Sequence, residues 1–263
     1  MFRKILYCLR VFVKLFFLAF FAVGTLIMSF IVFPITRLFI RDRLRFQKTC
    51  RRMLGATLRF FVRLITVFQM IKIRVSDPDR ETLRNLHGAI VVSNHPSFFD
   101  SALLISLQDC TDFIVKSALK SRNVMSLLIR TLYIPNSMKY EEIMARCKEN
   151  LASGGTLTLF PEGTRSINGV QNRFKKGAAR ISLATGCPIV PVYIGGNSKR
   201  GLGKGDKFYQ VNENGAYRYE FIVKDAVYPE EFAGLSEPIA AKRFTAKLQE
   251  ILSDENNRGA QYE

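Results

Sequence analysis

Residues 90–100 read IVVSNHPSFFD, an apolar run that passes directly into a polar turn. A short apolar run of this kind, which begins at residue 89 and ends at residue 93, is typical of a buried strand. The residues that follow, 99–107, are predicted to form a helix. His95 therefore lies between a strand and a helix, where the ligand sites of open α/β sheets usually form.

His95 and Asp100 form the first candidate site. Histidine is scarce, because His87 and His95 are the only two in the chain. If the turn folds back, the Asp100 carboxylate can accept the Nδ1 proton of His95, which leaves Nε2 free to take a proton from a substrate hydroxyl. Taken alone the spacing is weak evidence, since a single histidine at a strand end is structural more often than not.

The second candidate site is the turn PEGTRS at residues 161–166, which follows a predicted strand at 156–160. Gly163 allows the backbone to approach a ligand closely, and Arg165 offers a planar fork of donors that suits a phosphate. Glu162 either orients Arg165 or binds an acceptor hydroxyl. Further candidates in or near the turn are Thr164, Ser166 and Lys175. The alternative is a solvated turn with a salt bridge.

Residues 1–75 predict a membrane anchor. Residues 15–36 carry no charge, and at about 1.5 Å per residue such a helix can cross a hydrocarbon layer of roughly 30 Å. Residues 44–73 place Arg at helical intervals among apolar residues, which predicts an amphipathic helix in the headgroup zone; the alternative is a core helix. A single span and a shallow insertion that returns to the same side are both open.

The basic charge of the chain is concentrated in the same segment. Residues 1–75 hold 15 of the 39 Lys and Arg but one of the 22 acidic residues, so residues 76–263 are nearly neutral. A nucleic-acid binder would carry its cations on the soluble domain. Cations that flank an apolar run instead favour anionic lipid headgroups as the partner. The protein is expected at a membrane with its site on the cytoplasmic face, where basic clusters stay.

Residues 76–263 predict an α/β domain. Apolar runs predict strands at 89–93, 112–115, 132–135, 156–160 and 189–194, and an alternating run predicts an edge strand at 217–224. Helices are predicted at 80–86, 99–107, 124–130, 140–151, 177–184 and 238–252. This alternation predicts a mixed, largely parallel sheet flanked by helices, which the two-helix membrane anchor precedes.

The two candidate sites together resemble the signatures of the glycerolipid acyltransferase family, which includes the 1-acyl-sn-glycerol-3-phosphate acyltransferases (PlsC-like proteins). NHPSFFD matches the H-x-x-x-x-D signature of that family, and FPEGTRS matches its third signature. Residues 173–194, RFKKGAARISLATGCPIVPVYI, match the stretch that carries the fourth, with Pro191 as its proline. The resemblance covers about residues 73–200, and the basic two-helix segment before them is also similar.

The resemblance implies direct acyl transfer without an acyl-enzyme. His95, held by Asp100, would deprotonate an acceptor hydroxyl that attacks the thioester of acyl-CoA or acyl-carrier protein. Glu162, Gly163 and Arg165 would bind the acceptor, Arg165 through its phosphate. The acceptor would be a lysophospholipid, most directly 1-acyl-sn-glycerol-3-phosphate, giving phosphatidic acid. No cofactor or metal is expected, since the five cysteines show no paired spacing and no Cys/His cluster occurs.

One position departs from the family pattern. The second signature usually ends in a basic residue, but Asn136 stands in its place, and Arg130 or Lys139 would have to compensate. A charge-assisted hydrogen bond is roughly twice as strong as a neutral one, so an amide is the weaker phosphate partner. A lyso-amino-acid lipid or another hydroxylated lipid is therefore an alternative acceptor, and a catalytically inert peripheral membrane protein is the other alternative. Asn94 and Pro191 are weaker candidates with structural roles.

Overall fold

The computed structural model describes residues 2–115, 128, 131–166, 170–207, 209–212 and 215–260. Its helices are α1 (Phe2–Ile27), α2 (Phe33–Phe39), α3 (Arg43–Val67), α4 (Asp77–Asn85), α5 (Asp100–Leu107), α6 (Tyr140–Ala152), α7 (Gly177–Thr185) and α8 (Glu237–Ala260). Its strands are β1 (Ile71–Val75), β2 (Ile90–Ser93), β3 (Thr111–Val115), β4 (Ile134–Pro135), β5 (Thr156–Leu159), β6 (Ile189–Gly195) and β7 (Tyr217–Val223). A π-helical turn, Met28–Val32, joins α1 to α2, and a 3-10 helix, Pro229–Phe232, precedes α8.

The described strands form one sheet in the order β1-β7-β6-β2-β5-β3-β4. Neighbouring strands are parallel, except for β6 and β7, which are antiparallel. In the centre, Val92 of β2 is paired with Leu159 of β5 on one side and with Pro191 of β6 on the other. The predicted mixed, largely parallel sheet is therefore confirmed.

Helices cover both faces of this sheet. On one face α1, α3 and α5 bury an apolar cluster that includes Phe61 and Leu104. On the other face α6, α7 and α8 bury a second cluster that includes Ile181 and Phe244. Strand β2 is buried along its whole length, which explains why its sequence is continuously apolar and does not alternate. The polar turn that carries His95 therefore begins at the end of a strand in the centre of the sheet.

The N-terminal helices form a hairpin. The chain reverses at residues 40–42, where Asp42 caps α3 by accepting the N–H of Arg45 at 2.7 Å. One side of α1 and α2 packs inward through Phe17 and Phe33, both buried. Among the described residues, Lys4–Phe39 is the one helix long and apolar enough to cross a membrane by length and composition. An apolar N-terminal helix suited to an anchor is therefore present, as the sequence predicts.

Two element predictions are wrong. The helix predicted for residues 44–73 ends at Val67, and Ile71–Val75 forms a strand. The helix ends because Gln69 adopts a left-handed backbone conformation, with φ of 55°, and no Gly or Pro announces this end in the sequence. Strand β7, predicted as an edge strand, lies between β1 and β6. Its residues alternate because the side chains on one face of β7 are buried, while those on the other face are less covered.

Helix α3 packs into the domain as well as being amphipathic. Its apolar face, with Leu54, Leu58 and Ile65 buried, lies against α5 and the sheet. That packing is what the core-helix alternative predicts, while lipid contact by the outward arginines of α3 stays a prediction. The helix predicted at 124–130 falls outside the described residues, apart from Leu128, which is helical and buried.

Arg51 ties α3 to the sheet through a buried ion pair. Its Nη2 lies 2.6 Å from Asp112 Oδ2 in β3, and its Nη1 donates to Asn150 Oδ1 at 3.0 Å. Both Nε and Nη2 also donate to the Leu132 carbonyl, at 3.2 and 2.7 Å. Burial raises the pKa of the Asp112 carboxyl to about 6, and the Arg51 charge opposes that rise. Arg51 is therefore occupied inside the protein and does not face lipid headgroups.

Replacing Arg51→Met should lower the free energy of unfolding by about 3–5 kcal/mol, because it leaves Asp112 buried without its cation. The loss should be larger at pH 8 than at pH 5.5. The unfolded acid titrates near its ordinary pKa of about 4, whereas the buried acid holds its proton to higher pH, so the folded state loses stability as pH rises. Chemical denaturation in detergent at both pH values measures this.

The control is Arg52→Met on the same helix, which removes an exposed ion pair of 3.0 Å with Asp109. An exposed pair contributes about 1 kcal/mol or less. Equal losses in the two variants would contradict a special role for the buried pair.

Candidate active site

Asn94 fixes the polar turn after β2 to the neighbouring strand β6. Its Nδ2 donates to the Ile194 carbonyl at 2.9 Å, and its Oδ1 accepts the Ile194 N–H at 2.7 Å. These two bonds extend the contact between β2 and β6 while the turn leaves the sheet. Asn94 thereby holds the turn so that His95 lies at the edge where the parallel strands end.

His95 and Asp100 are in contact. His95 Nδ1 lies 2.8 Å from Asp100 Oδ2, and the Asp100 side chain is fully buried. The same carboxylate accepts the backbone N–H of Ser97 at 2.7 Å on Oδ2 and the Ser97 hydroxyl at 2.5 Å on Oδ1. With Nδ1 as the donor to this carboxylate, Nε2 is the ring nitrogen that faces away from it. The ring is 16 % exposed, so a substrate can reach it.

Tyr219 of β7 extends this network, and sequence analysis missed it. Its hydroxyl lies 3.0 Å from Ser97 Oγ. Since the one hydroxyl proton of Ser97 goes to Asp100, Tyr219 must be the donor to Ser97. Burial, followed by the nearby Asp100 charge, raises the pKa of Tyr219 well above its ordinary value, so the phenol keeps its proton. No local signal in the sequence links Tyr219 to a turn 122 residues earlier.

Phe160 supports the imidazole from the neighbouring strand end. The rings of His95 and Phe160 stack with centroids 4.0 Å apart and planes inclined by 14°. Phe160 follows β5 directly, and β5 pairs with β2. The stack fixes the plane of the imidazole, while the Asp100 contact fixes its rotation within that plane.

Glu162 joins the second candidate turn to the first. Its Oε1 accepts the backbone N–H of His95 at 3.0 Å, and the Ser166 hydroxyl donates to both of its oxygens, at 3.0 and 3.1 Å. Asn172 donates to Oε2 from its backbone and from its side chain, at 2.8 Å each. The Ser166 N–H also donates to the His95 carbonyl at 2.9 Å. Within the described residues, the structure thus places Glu162 against the catalytic turn and not against Arg165.

Arg165 and Lys175 bring positive charge to the same turn. Arg165 Nη1 donates to the carbonyls of Leu202 at 3.1 Å and Gly203 at 2.9 Å. Gly163 has a φ of 68°, and a Cβ there would lie 2.8 Å from Lys175 Nζ. Glycine is therefore required both for this backbone conformation and for the approach of the ammonium. Thr164, between Gly163 and Arg165 in the sequence, is partly exposed.

The structure leaves other predicted residues away from this cluster. Asn136 is exposed after β4, the outermost strand. It is three strand spacings from β2, roughly 14 Å at about 4.8 Å each. Arg130 lies outside the described residues. Pro191 is buried in β6, where its carbonyl accepts the N–H of Lys224 at 2.9 Å, so it has a structural place.

An apolar recess lies beside the catalytic turn, between α1, α3 and the turn itself. The side chains that line it include Phe17, Leu18, Phe21, Phe61, Phe98 and Phe99. Phe98 and Phe99 belong to the same turn as His95. Fatty acyl chains bind to surfaces of this chemistry, because burial of methylene groups stabilises the complex.

Comparisons with known proteins agree with this arrangement. The model of the family described as Acyltransferase matches residues 72–195, a range that contains both turns. Over these residues the chain is similar to the acyltransferase family. It is 33 % identical over 146 residues to a chloroplastic 1-acyl-sn-glycerol-3-phosphate acyltransferase of Arabidopsis thaliana, covering 51 % of this chain and 39 % of that protein. It is 27 % identical over 188 residues to a probable 1-acyl-sn-glycerol-3-phosphate acyltransferase of Mycoplasma pneumoniae, covering 65 % and 68 %.

A solved structure shares the fold of this chain over nearly its whole length. The crystal structure of the 1-acyl-sn-glycerophosphate (LPA) acyltransferase PlsC from Thermotoga maritima matches with a TM-score of 0.65 and 23 % identity, covering 97 % of each chain. By contrast, the chain spans about two fifths of the length of the plant relatives it matches.

Within the described ranges, no group of three His, Cys, Asp or Glu side chains could hold a metal ion. The absence of a cofactor stays a prediction.

Asp100→Asn should reduce kcat of acyl transfer on the order of 10³- to 10⁴-fold, because an amide can donate to Nδ1 and hold His95 in the wrong tautomer. Steady-state turnover measures the effect, and thermal unfolding checks the fold. Asp109→Asn, at a partly exposed position two residues beyond the end of the same helix, is the matched control and should keep parent activity. Parent-like turnover in Asp100→Asn would remove Asp100 from the catalytic pair.

Proposed function

We propose that this chain is a membrane-associated acyltransferase that acylates 1-acyl-sn-glycerol-3-phosphate. The acyl group would come from acyl-CoA or acyl-carrier protein, and the product would be phosphatidic acid. The observation that carries the proposal is the 2.8 Å contact between His95 Nδ1 and a fully buried Asp100, beside an apolar recess. The names of the plant and mycoplasma relatives support this acceptor.

In the proposed reaction, His95 Nε2 takes the proton of the acceptor hydroxyl as the hydroxyl oxygen attacks the thioester carbonyl carbon. A carbon–oxygen bond forms, the carbon–sulfur bond then breaks, and the thiolate leaves with the proton that His95 had taken. Asp100 stays ionised throughout and stabilises the transient imidazolium. Transfer is direct, because the Ser97 hydroxyl is engaged with Asp100 and Tyr219 and cannot serve as a nucleophile.

Arg165 and Lys175 are the residues that we assign to the phosphate of the acceptor. Among the described contacts Arg165 uses Nη1 for two carbonyls, so its Nε and Nη2 can form a bidentate pair with a phosphate. Lys175 Nζ lies over Gly163 in the same turn. This assignment does not need a cation at Asn136, which lies several strands away, and it therefore supports a phosphate-bearing acceptor despite the departure at that position. Glu162 holds the catalytic turn in this scheme.

The membrane contact is assigned to the outer side of the N-terminal hairpin. Apolar residues recur there at helical spacing and are exposed, namely Ile5, Leu9, Phe12, Phe16, Phe20, Val23, Ile27, Ile31, Ile35 and Leu38. A stripe of this kind is typical of a helix that lies in the plane of a membrane. On the opposite side of the hairpin's first arm, α3 covers the inward residues of α1 and α2 from Phe17 to Phe33. Lipid therefore cannot surround this arm. We therefore favour the shallow insertion, with the site facing the anionic cytoplasmic leaflet.

Purified protein in mixed micelles with labelled acyl-CoA or acyl-carrier protein should acylate lysophosphatidate in preference to lysophospholipids without a terminal phosphate. His95→Ala should lose at least about 10³-fold in kcat, since it removes the general base. Product formation over a panel of lyso-lipids measures both. A lyso-amino-acid lipid as the best acceptor would overturn the phosphate assignment. No transfer to any acceptor by the parent would support an inert membrane-binding protein.

Replacing Phe12, Phe16 and Phe20 together by Ser should weaken binding to vesicles that contain anionic lipid at least about tenfold, because roughly 1.5–3 kcal/mol is associated with each buried apolar side chain. Vesicle flotation measures binding. The matched control replaces three exposed apolar residues of the soluble domain, Val170, Tyr228 and Ile239, and should bind like the parent. Equal binding by both triple variants would exclude the α1 stripe as the membrane contact.

A further inference from the structure

Lys14 occupies an unusual position. It is the last charged residue before the uncharged stretch 15–36, yet it is 4 % exposed. Its ammonium donates to the carbonyl of Gly201 at 2.7 Å and to that of Gln210 at 2.6 Å. The ring of Tyr217 lies beneath it, with the ammonium 6.0 Å from the ring centroid. Lys14 is thus a contact between the N-terminal helix and a loop of the catalytic domain, and not a lipid-facing cation.

The loop that receives Lys14 is a tight structure, which we call the 199–203 turn. The N–H groups of Leu202 and Gly203 donate to the Lys199 carbonyl, at 2.8 and 3.1 Å. Asp206 Oδ2 accepts the N–H groups of Gly201 and Gly203, at 2.8 and 2.9 Å. Because these N–H groups bond to Lys199 and Asp206, the carbonyls of Gly201, Leu202 and Gly203 are left to accept hydrogen bonds from other parts of the protein.

Three consecutive carbonyls of the 199–203 turn connect three parts of the protein. The Gly201 carbonyl accepts from Lys14. The Leu202 carbonyl accepts the backbone N–H of Phe98 at 3.0 Å and Arg165 Nη1 at 3.1 Å. The Gly203 carbonyl accepts a second bond from Arg165 at 2.9 Å. Helix α1, the turn that carries His95 and the side chain of Arg165 therefore all contact the 199–203 turn.

Position 201 has no room for a side chain. Gly201 has a φ of 82°, and a Cβ there would lie 1.9 Å from the Gln210 carbonyl oxygen and 2.7 Å from Lys14 Nζ. The backbone at 201 and the ammonium of Lys14 are therefore fitted to each other. A displacement of Lys14 would take the donor from the buried Gly201 carbonyl and from the partly buried Gln210 carbonyl, which favours movement of the turn.

We propose that Lys14 is a positioning residue for recognition of the acceptor phosphate. By holding the 199–203 turn, Lys14 fixes the two carbonyls that orient Arg165, so the seating of α1 on the domain controls the phosphate site. The proposal rests on the function proposed above. The pair of His95 and Asp100 has its own supports in Ser97, Tyr219 and Glu162, so Lys14 should govern acceptor binding far more than the chemical step.

The test compares Lys14→Met, Lys14→Arg and the parent protein. Methionine keeps the length of the side chain and removes the charge. Because the substitution leaves the Gly201 and Gln210 carbonyls without this donor, we expect a modest fall in melting temperature, and Kd and KM are measured well below that temperature. We expect the Kd for lysophosphatidate, from calorimetry in micelles, and its KM to rise about tenfold, the effect of weakening one charge-assisted bond. The value of kcat should stay within about threefold, and Lys14→Arg should recover most of the affinity.

Two further variants separate this role from a general structural one. Lys48→Met removes a lysine of α3 that donates to the Ser153 carbonyl at 2.6 Å, a bond of the same kind away from the site, and should leave Kd and KM unchanged. In an Arg165→Met background, Lys14→Met should add nothing to KM, because the residue through which it acts is gone.

An unchanged Kd and KM in Lys14→Met, or a full additive effect in the Arg165→Met background, would overturn the role of Lys14 and leave the proposed function in place. A parent protein that neither binds nor acylates lysophosphatidate would overturn both.

Discussion

The active site depends on the desolvation of one carboxylate. The Asp100 side chain is fully buried, and a buried carboxyl group without hydrogen-bond partners would destabilise the fold. The turn supplies three donors, from the ring of His95 and from the backbone and hydroxyl of Ser97. Each fixes a different part of the turn. The need to satisfy this charge therefore determines how NHPSFFD folds and where Nε2 of His95 points.

A second buried acid applies the same constraint from the neighbouring strand. Glu162 is 3 % exposed, and its donors come from His95, Ser166 and Asn172. Because β2 and β5 are parallel and paired, their turns emerge at the same edge of the sheet. Two acids, each requiring donors, then lock together two turns that lie 67 residues apart. The imidazole of His95 and the cations beside Gly163 are consequently parts of one rigid unit.

Much of this architecture could be predicted from local sequence. The spacing of His95 and Asp100 allowed their contact but was weak evidence alone, and the resemblance of both turns to the acyltransferase signatures carried that prediction. The end of α3 was hidden, since Gln69 takes a conformation that sequence associates with glycine. Tyr219 and the 199–203 turn could not be predicted either. Their roles come from contacts between residues that lie more than 100 positions apart in the sequence. Neither carries a local motif.

The contact of Lys14 with Gly201 and Gln210 also constrains the order of assembly during synthesis. Helix α1 leaves the ribosome first, whereas its acceptor carbonyls follow 187 and 196 residues later. At about 5–20 residues per second this interval is roughly 10–40 s. Strand β1 has a similar delay, because its partner β7 begins at Tyr217. Until those residues are made, Lys14 of the N-terminal hairpin lacks these two acceptors, and the hairpin takes its place in the domain when the last third of the chain closes over it.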